Sequence, residues 1–271
     1  MIIDFHTHIF PDKIAERTIS HLASRGGRQP SFDGTERGLL ANMKSTGVDI
    51  SLTHPVITAP KQFDSVTAFA DEVNRRYSDI EGKRLISFAG IHPACCEIGE
   101  KMKLIKSLGF LGVKIHPDYQ DTPINDESYV EILKYAMEYD LVVITHAGVD
   151  GAYRDRGPMC TPERVIDLIR RVPHGKLVLG HLGGNEMTEE VYDMLCGEDL
   201  YLDTALVLDY IDEKSFKKIL DKHGEDRILF ATDAPWADAR SYIERIRSFG
   251  LGEKVENKIF FENAKKLINL R

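Results

Sequence analysis

Short apolar runs alternate with amphipathic segments along nearly all of the 271 residues. The apolar runs predict strands and the amphipathic segments predict helices, a pattern typical of repeated βα units that form a parallel sheet. Eight predicted strands in a chain of this length fit a closed (β/α)8 TIM barrel better than an open sheet. The predicted strands are residues 2–8, 50–54, 85–92, 112–116, 141–146, 177–181, 200–204 and 228–233.

The predicted helices occupy the intervals between these strands and the end of the chain. They cover residues 36–45, 63–78, 101–108, 128–139, 162–171, 189–195, 213–223, 239–249 and 262–270. No composition shift or linker divides the chain, so one barrel domain is expected over residues 1–271. An open doubly wound sheet is the alternative, but no predicted strand is followed by the glycine-rich G-x-G-x-x-G phosphate loop.

Residues 9–35 separate the first predicted strand from the first predicted helix. The second half of this segment is dense in Gly, Pro and Ser, which indicates a loop. A loop of this length inside a compact domain is usually functional, so we expect a lid. The alternative is a surface insertion without a role.

Composition restricts the partners. The net charge of −8 disfavours a protein that must neutralise many nucleic-acid phosphates. Four cysteines without C-x-x-C spacing and without a charged-then-apolar leader predict reduced thiols in the cytoplasm. No apolar run approaches the roughly 18 residues that span a bilayer. A small-molecule substrate is therefore the expected partner.

Histidines are concentrated where the predicted strands end, which is the rim that holds the site in parallel α/β barrels. Proline follows three of these histidines and ends the strand, because proline lacks the ladder donor. The last two predicted strands carry acidic residues at their ends, Asp203 and Asp233. The histidines at strand ends are His6, His8, His54, His92, His116, His146 and His181, whereas His21, His174 and His223 lie elsewhere.

His6 and His8 are two residues apart, so on a strand both imidazoles point to the same side and can bind one metal ion. A lone His-x-His can equally be a strand that tolerates two histidines. The features farther along the chain decide between these interpretations.

Together these features resemble the amidohydrolase superfamily of metal-dependent barrel hydrolases. The most similar branch contains aminocarboxymuconate-semialdehyde decarboxylase and related hydrolases. The matching features are His6-x-His8 on strand one, Thr145-His146 on strand five, Gly180-His181-Leu182-Gly183-Gly184 on strand six, and Thr232-Asp233 with Pro235 on strand eight.

The resemblance implies that His6, His8, His146 and Asp233 bind one divalent ion, with zinc preferred over manganese. It also implies that His181 polarises or protonates the substrate, and dimers common in the family suggest a homodimer. Three imidazoles and one carboxylate suit Zn²⁺ with a position for water, whose pKa the ion lowers to about 7. Asp233 could then take the proton from water and return it to the leaving group.

Lys114 and His116 share one face of the fourth predicted strand. In two-metal members of the superfamily a carboxylated lysine bridges the ions, so a second ion through Lys114 is one interpretation. The preferred interpretation is a buried lysine that pairs with Asp4 or Asp233 or binds a substrate anion, with His116 facing the substrate.

Other residues are candidates for substrate contact. Arg154 or Arg156, after the fifth strand, could bind a substrate carboxylate, although either could be a solvated surface arginine. Trp236 could line the pocket or pack under the rim. His92 could contact substrate or hydrogen-bond to a neighbour, Asp203 could orient His181 or a substrate group, and His54 is expected to be structural.

The leading interpretation is a metal-dependent hydrolase of a small polar substrate, such as a lactone, an amide or a C–N bond, that uses a metal-activated water. The alternative is zinc-dependent non-oxidative decarboxylation of a small aromatic or enol-type carboxylic acid, because the resembling branch contains such lyases. A DNase-type phosphoesterase usually has a glutamate on strand four, where this chain has Lys114 and His116. A non-enzymatic binding protein is a further alternative, but it would not explain why the four predicted metal ligands and His181 are all present.

Overall fold

A computed structural model, which describes residues 1–77, 84–173 and 175–270, confirms the (β/α)8 barrel. All strand pairs are parallel, in the orders β1-β2-β3 and β4-β5-β6-β7-β8-β9. The strands are β1 Ile3–Thr7, β2 Ile50–Thr53, β3 Arg84–Ser87, β4 Ala89–Gly90, β5 Gly112–Ile115, β6 Val142–Thr145, β7 Leu177–Leu179, β8 Tyr201–Asp203 and β9 Ile228–Leu229.

Two sets of hydrogen bonds close these strands into a cylinder. Strands β3 and β4 form one run interrupted only at Phe88, whose N–H donates to the carbonyl of Thr53 at 2.9 Å. On the opposite side, the N–H of Phe5 donates to the carbonyl of Phe230 at 2.9 Å. The predicted strand 85–92 therefore corresponds to β3 and β4 together, and the barrel has eight strand positions.

Eleven α-helices are present in the part of the chain that the structure describes. They are α1 Asp12–Gly26, α2 Glu36–Thr46, α3 Phe63–Arg76, α4 Ile98–Ser107, α5 Glu127–Glu138, α6 Pro162–Arg171, α7 Thr188–Met194, α8 Glu213–His223, α9 Ala239–Ser248, α10 Glu253–Asn257 and α11 Asn263–Leu267. None of these helices is both long and apolar enough to cross a bilayer. The nine predicted helices are all found with small shifts at their ends, except that the last, 262–270, shrinks to α11. Ser78, at the end of the predicted helix 63–78, and His174 lie outside the described residues.

Helix α1 corrects the predicted loop over residues 9–35. Its buried face carries Ala15 and Ile19, one helical turn apart, and Gly27 ends it with a φ of 68°, a conformation that favours glycine. The Gly- and Pro-rich composition that indicated a loop applies only to the residues after α1. That shorter segment, 27–35, hydrogen-bonds through Ser31 to the carbonyl of Pro235.

Apolar side chains form two layers around the strands. Phe5, Leu52, Phe88 and Ile144 belong to an interior cluster, whereas Val143 on the same strand as Ile144 packs in the outer cluster with the helices. This alternation follows from the two-residue period of a strand. The interior of the barrel is therefore filled, and polar side chains are left for its rim.

His223, at the end of α8, is a structural histidine. Its Nε2–H donates to the carbonyl of Leu200 at 3.1 Å, and its Nδ1 accepts from the N–H of Gly197 at 3.3 Å. Both ring nitrogens are used by the neutral form. Burial lowers the pKa of His223 from 6.5 to about 4, because the charged ring would lose its water.

We predict that His223 makes the protein less stable as the pH falls. The unfolded chain binds a proton at His223 below about pH 6.5 and the folded chain only near pH 4, so stability is complete above pH 6.5 and is lost between these values. The loss is about 3 kcal/mol. Chemical denaturation at pH 7 and pH 4.5 should show a smaller acid-induced loss for His223→Gln, whose amide can also donate and accept. Equal losses in the two proteins would contradict this assignment.

Candidate active site

The closure of the barrel brings the end of β1 next to the segment after β9, at the rim formed by the C-terminal ends of the strands. The N–H of Asp233 donates to the carbonyl of His6 at 2.8 Å, and the N–H of His8 donates to the carbonyl of Ala234 at 2.6 Å. As a result, one ligand atom each of His6, His8 and Asp233 lies within 4.8 Å of the others. The predicted cluster of His6, His8 and Asp233 is therefore present in the structure.

The protonation of His6 is fixed by its neighbours. Its Nδ1 lies 2.8 Å from Oδ2 of Asp203, a carboxylate oxygen that accepts, so Nδ1 carries the hydrogen. Its Nε2 is then a lone pair, which accepts from the ammonium of Lys114 at 2.9 Å. Burial, then the charge of Lys114, lowers the pKa of His6 well below its ordinary value, so the ring is neutral.

The same reasoning applies to His8. Its Nδ1 donates to the carbonyl of His54 at 2.7 Å, because a carbonyl can only accept. In the neutral ring, Nε2 therefore presents a lone pair, and it lies 3.0 Å from Oδ1 of Asp233. The same Asp233 oxygen lies 3.4 Å from Nε2 of His6.

His146 belongs to a neighbouring group with His116 and Asp150, whose ligand atoms also lie within 4.8 Å of one another. The family resemblance placed His146 with His6, His8 and Asp233. In the structure the ring of His181 lies between them, with its centre 4.5 Å from that of His146 and 5.6 Å from that of His6. His181 Nδ1 donates to the carbonyl of Ala205 at 3.0 Å, so its Nε2 accepts from His146 Nδ1–H at 2.8 Å. His146 Nε2 is consequently a lone pair.

The donor set fits a divalent cation. His146 Nε2 is buried and finds no hydrogen-bond partner among the described residues, a costly state for a polar atom in the interior. His6 Nε2, His8 Nε2 and the carboxylate of Asp233 are also acceptors, and they face one another. Neutral imidazoles held by second hydrogen bonds, beside a carboxylate, are the ligands that zinc and related ions prefer.

Charge in the site is balanced between one lysine and buried carboxylates. Burial lowers the pKa of Lys114 to about 8, opposed by the charges of Asp233 and Asp203. Burial alone would raise the pKa of Asp233, but its contact with His8 at 3.0 Å and the charge of Lys114 outweigh burial and hold the pKa below its ordinary value. Asp233 is therefore a carboxylate at neutral pH.

Of the alternatives offered for Lys114, the structure does not form the pair with Asp4, which has other partners, and the ammonium of Lys114 donates to His6 Nε2 at 2.9 Å. Asp4 Oδ1 accepts from the N–H of Thr232 at 3.0 Å, and Oδ2 accepts from its hydroxyl at 2.6 Å. Asp4 thus fixes the residue that precedes Asp233. Asp233 itself adopts a φ of 67°, a strained conformation for a non-glycine residue that is held by these contacts.

The term metal-facing residues is used here for His6, His8, His146 and Asp233, whose acceptor atoms form the candidate metal site. His116 differs from the three histidines among them in its protonation. Its Nδ1 accepts from the N–H of Tyr119 at 3.4 Å, and burial lowers its pKa well below the ordinary value. The neutral ring therefore carries its hydrogen on Nε2, which lies 3.5 Å from Oδ2 of Asp150. His116 thus presents a donor rather than a lone pair at the rim.

Four rings form a continuous column, named here the ring column, that leads outward from the metal-facing residues. His146 and His116 stack at 4.6 Å with an angle of 7°, His116 meets Tyr119 edge to face at 4.3 Å, and Tyr119 meets Tyr153 at 5.1 Å. The guanidinium of Arg25, from the end of α1, lies 4.8 Å from the centre of the Tyr153 ring. The site therefore has an aromatic wall on one side.

The remaining predicted residues have varied positions. Arg154 is exposed and pairs with Glu186 through two hydrogen bonds, and Arg156 lies over the Tyr153 ring and pairs with Asp121.

Trp236 is half-buried beside Asp233. His92 is buried and accepts through Nδ1 from the N–H of Ala94, and His54 is held by the carbonyl of Phe5. Asp203 orients His6 through its side chain and accepts from the N–H of His181.

Sequence reasoning missed Asp150. It lies four residues after His146 in an Asp-Gly pair that begins a short turn, and its carboxylate caps that turn. The signal that could have identified Asp150 is the position of this acid shortly after a barrel strand, because loops at the C-terminal ends of the strands build the site.

The fold and the donor set define a barrel enzyme with a rim site suited to a divalent metal ion. The family model described as Amidohydrolase matches residues 3–270. The chain therefore belongs to the amidohydrolase family. A search of curated proteins finds no match.

Solved structures support the same fold. 2,6-Dihydroxybenzoate decarboxylase from Rhizobium is 16% identical, with a TM-score of 0.73 over 99% of this chain and 98% of that one. 5-Carboxyvanillate decarboxylase from Novosphingobium aromaticivorans, complexed with manganese, is also 16% identical, with a TM-score of 0.76 over 100% and 96%. The enzyme of that name from Sphingomonas paucimobilis has 16% identity and a TM-score of 0.70 over 100% and 99%. At this identity the likeness establishes the shared barrel.

We predict that a divalent ion stabilises the folded protein through His8. Mn²⁺ or Zn²⁺ at 100 times its dissociation constant should stabilise chelator-treated protein by about 2.7 kcal/mol, because only the folded chain assembles the ligands. Thermal unfolding with and without the ion measures the effect. His8→Ala should abolish the increase in Tm, whereas His21→Ala, an exposed histidine, should keep it. Equal increases in Tm for both variants would exclude His8 as a ligand.

Proposed function

We propose that this chain catalyses the metal-dependent, non-oxidative decarboxylation of a small aromatic or enol-type carboxylic acid. In this proposal His6, His8, His146 and Asp233 bind one divalent ion, zinc or manganese. The three similar decarboxylases support this reaction over hydrolysis, and one of them is complexed with manganese.

The observation that carries the proposal is the ring column beside the metal-facing residues. Tyr119 and Tyr153 meet edge to face, and His116 extends the column to His146, whose Nε2 is unpartnered among the described residues. Aromatic ligands gain from contact with such rings in addition to the area that they bury. A flat, unsaturated acid is therefore better matched to this wall than a flexible aliphatic one.

Decarboxylation breaks the bond between a ring carbon and the carboxylate and leaves the electron pair on that carbon. A divalent ion in this site would supply Lewis-acid stabilisation of negative charge on the substrate. Asp233, a carboxylate at neutral pH, can accept a proton from the substrate or solvent and deliver it to the ring carbon. Carbon dioxide leaves, and the proton replaces it.

We propose that His181 acts through His146 rather than on the substrate. Both of its ring nitrogens are used, one by the carbonyl of Ala205 and the other by His146 Nδ1. It is 1% exposed, so the ring faces protein on all sides. We therefore treat His181 as the positioning residue that keeps the His146 lone pair directed at the ion.

Hydrolysis of a lactone, an amide or a C–N bond is the second candidate. It is favoured by the same ionised Asp233, which could take the proton of an attacking water and return it to the leaving group. The ring column does not serve this reaction specifically. The reaction products therefore distinguish the two candidates.

We predict that manganese- or zinc-loaded protein releases carbon dioxide from carboxylated phenols and opens no lactone. Asp233→Asn should lower turnover by about 10²- to 10⁴-fold, because the amide cannot carry the proton. Measurement of carbon dioxide release, with circular dichroism to check the fold, tests both points. Asp221→Asn, an exposed acid on α8, is the matched control and should retain full turnover. Lactone opening without carbon dioxide release would reverse the order of the two functions.

We also predict that His181→Ala weakens metal binding more than it weakens the chemical step. Without His181, the His146 ring can rotate or move its hydrogen to Nε2, and loss of such a second hydrogen bond typically lowers metal affinity 10- to 100-fold. Turnover measured across a metal titration should recover towards the wild-type value at saturating metal. Turnover that stays low at saturating metal, with unchanged affinity, would instead indicate direct contact with substrate.

A further inference from the structure

The metal-facing residues have little contact with solvent. The side chains of His8 and Asp233 are only 13% and 11% exposed, and those of His6 and His146 are buried more deeply. Groups with so little free surface admit a hydrated ion or a substrate only when part of the rim moves. A segment of the rim must therefore open each time the site is filled or emptied.

Residues 25–31, named here the strap, cross this rim. At one end Arg25 donates from Nη2 to the carbonyl of Ala152 at 2.8 Å, in the loop after β6. At the other end Ser31 donates from its N–H to the carbonyl of Pro235 at 2.7 Å, just after the last metal-facing residue. Strand β6 is the fifth of the eight strand positions, so it lies opposite β1 in the closed barrel. The strap therefore spans the mouth of the barrel above the site.

Polar contacts, rather than apolar packing, hold the strap in place. None of residues 20–33 is buried, whereas Ala15 and Ile19, the buried residues of α1, precede them. Arg28 pairs with Asp209 in the loop after β8, and the two side chains are 36% and 39% exposed. Ion pairs this exposed contribute little to stability. The strap can therefore leave the rim without exposing a buried apolar side chain, which makes its opening a local event.

Two glycines give the two sides of the strap different freedom. Gly27 has a φ of 68°, and a side chain at this position would meet no atom within 4 Å, so its backbone has room to turn. Gly34 is buried, and a Cβ there would lie 2.5 Å from the side chain of Ile19. Its carbonyl also accepts from the N–H of Phe10 at 2.8 Å, which fixes it to the segment after β1. Gly34 is thus an anchor, and movement is confined to the residues before it.

We propose that the strap is a lid that controls access to the rim site, with the Arg28–Asp209 pair as its latch. When the latch opens, the strap leaves Pro235 and uncovers the metal-facing residues. When it closes, it keeps bulk water away from them. The proposal rests on the metal site of the proposed function and is independent of the reaction that follows. Because the strap does not bind the ion, it changes the rates of binding and release together and leaves the dissociation constant unchanged.

The first test ties the latch shut. In a Cys96→Ser background, which removes the exposed native thiol and leaves three buried ones, Arg28→Cys and Asp209→Cys are joined by a bismaleimide with a reducible disulfide in its linker. Removal of Mn²⁺ by excess EDTA, measured as metal content after rapid desalting, should slow by about tenfold or more on cross-linking and recover on reduction. The dissociation constant for Mn²⁺ should stay within about twofold.

The second test opens the latch with Arg28→Ala. Hydrogen exchange at the Ser31 N–H, which is bonded to Pro235, should quicken by up to about fivefold, because an exposed ion pair favours the closed state by no more than this. Removal of Mn²⁺ by EDTA should quicken by the same factor. Arg17→Ala, an exposed arginine on α1, is the matched control and should leave both rates at their wild-type values.

Four results would overturn the lid. These are Mn²⁺ removal that cross-linking does not change, a dissociation constant that falls as far as the release rate, unchanged hydrogen exchange in Arg28→Ala, and no binding of Mn²⁺ by the wild-type protein. A working lid on a protein that releases no carbon dioxide would support this inference and reject the proposed reaction. Carbon dioxide release by a protein whose Mn²⁺ exchange ignores the cross-link would do the reverse.

Discussion

The hydrogen bonds between β1 and the segment after β9 are the constraint on which the site depends. His6 and Asp233 are 227 positions apart in the chain, and the main-chain bond between them, at 2.8 Å, exists only because the barrel closes. Asp4, two residues before His6, hydrogen-bonds to Thr232, one residue before Asp233, and these contacts hold Asp233 in its strained conformation. If the barrel did not close, His6 and His8 would therefore be separated from Asp233, even though each residue kept its own local structure.

A second constraint is the set of hydrogen bonds that fixes each imidazole. His6, His8 and His146 each donate from Nδ1 to an acceptor supplied by a different strand end, which leaves Nε2 as a lone pair. Burial lowers the pKa of His6 and His146, the latter to about 3, so protons do not compete for these lone pairs at neutral pH. The same burial that costs stability therefore prepares the site for a cation.

The sequence predicted the strands, most of the helices and the rim histidines, because these depend on periodicity and on the fact that parallel strands end at one edge. Helix α1 was also readable from Ala15 and Ile19, but the glycines and proline after it obscured the pattern. Asp150 and the contact of Lys114 with His6 were not predictable in this way. They depend on where a loop turns and how far a side chain reaches, and neither is set by a strand or helix period.

In the proposed function, substrate selection and metal binding depend on different parts of the chain. The metal-facing groups lie at the ends of β1, β6 and β9, whereas Tyr119, Asp150 and Tyr153 lie on the loops that follow β5 and β6. Arg25 at the end of α1 stacks on Tyr153, so even the first helix contributes to the aromatic wall. Loops tolerate change far better than barrel strands. Under the proposed function, a common barrel at 16% identity is therefore compatible with different acids, and the contacts of these loop residues determine which acid is bound.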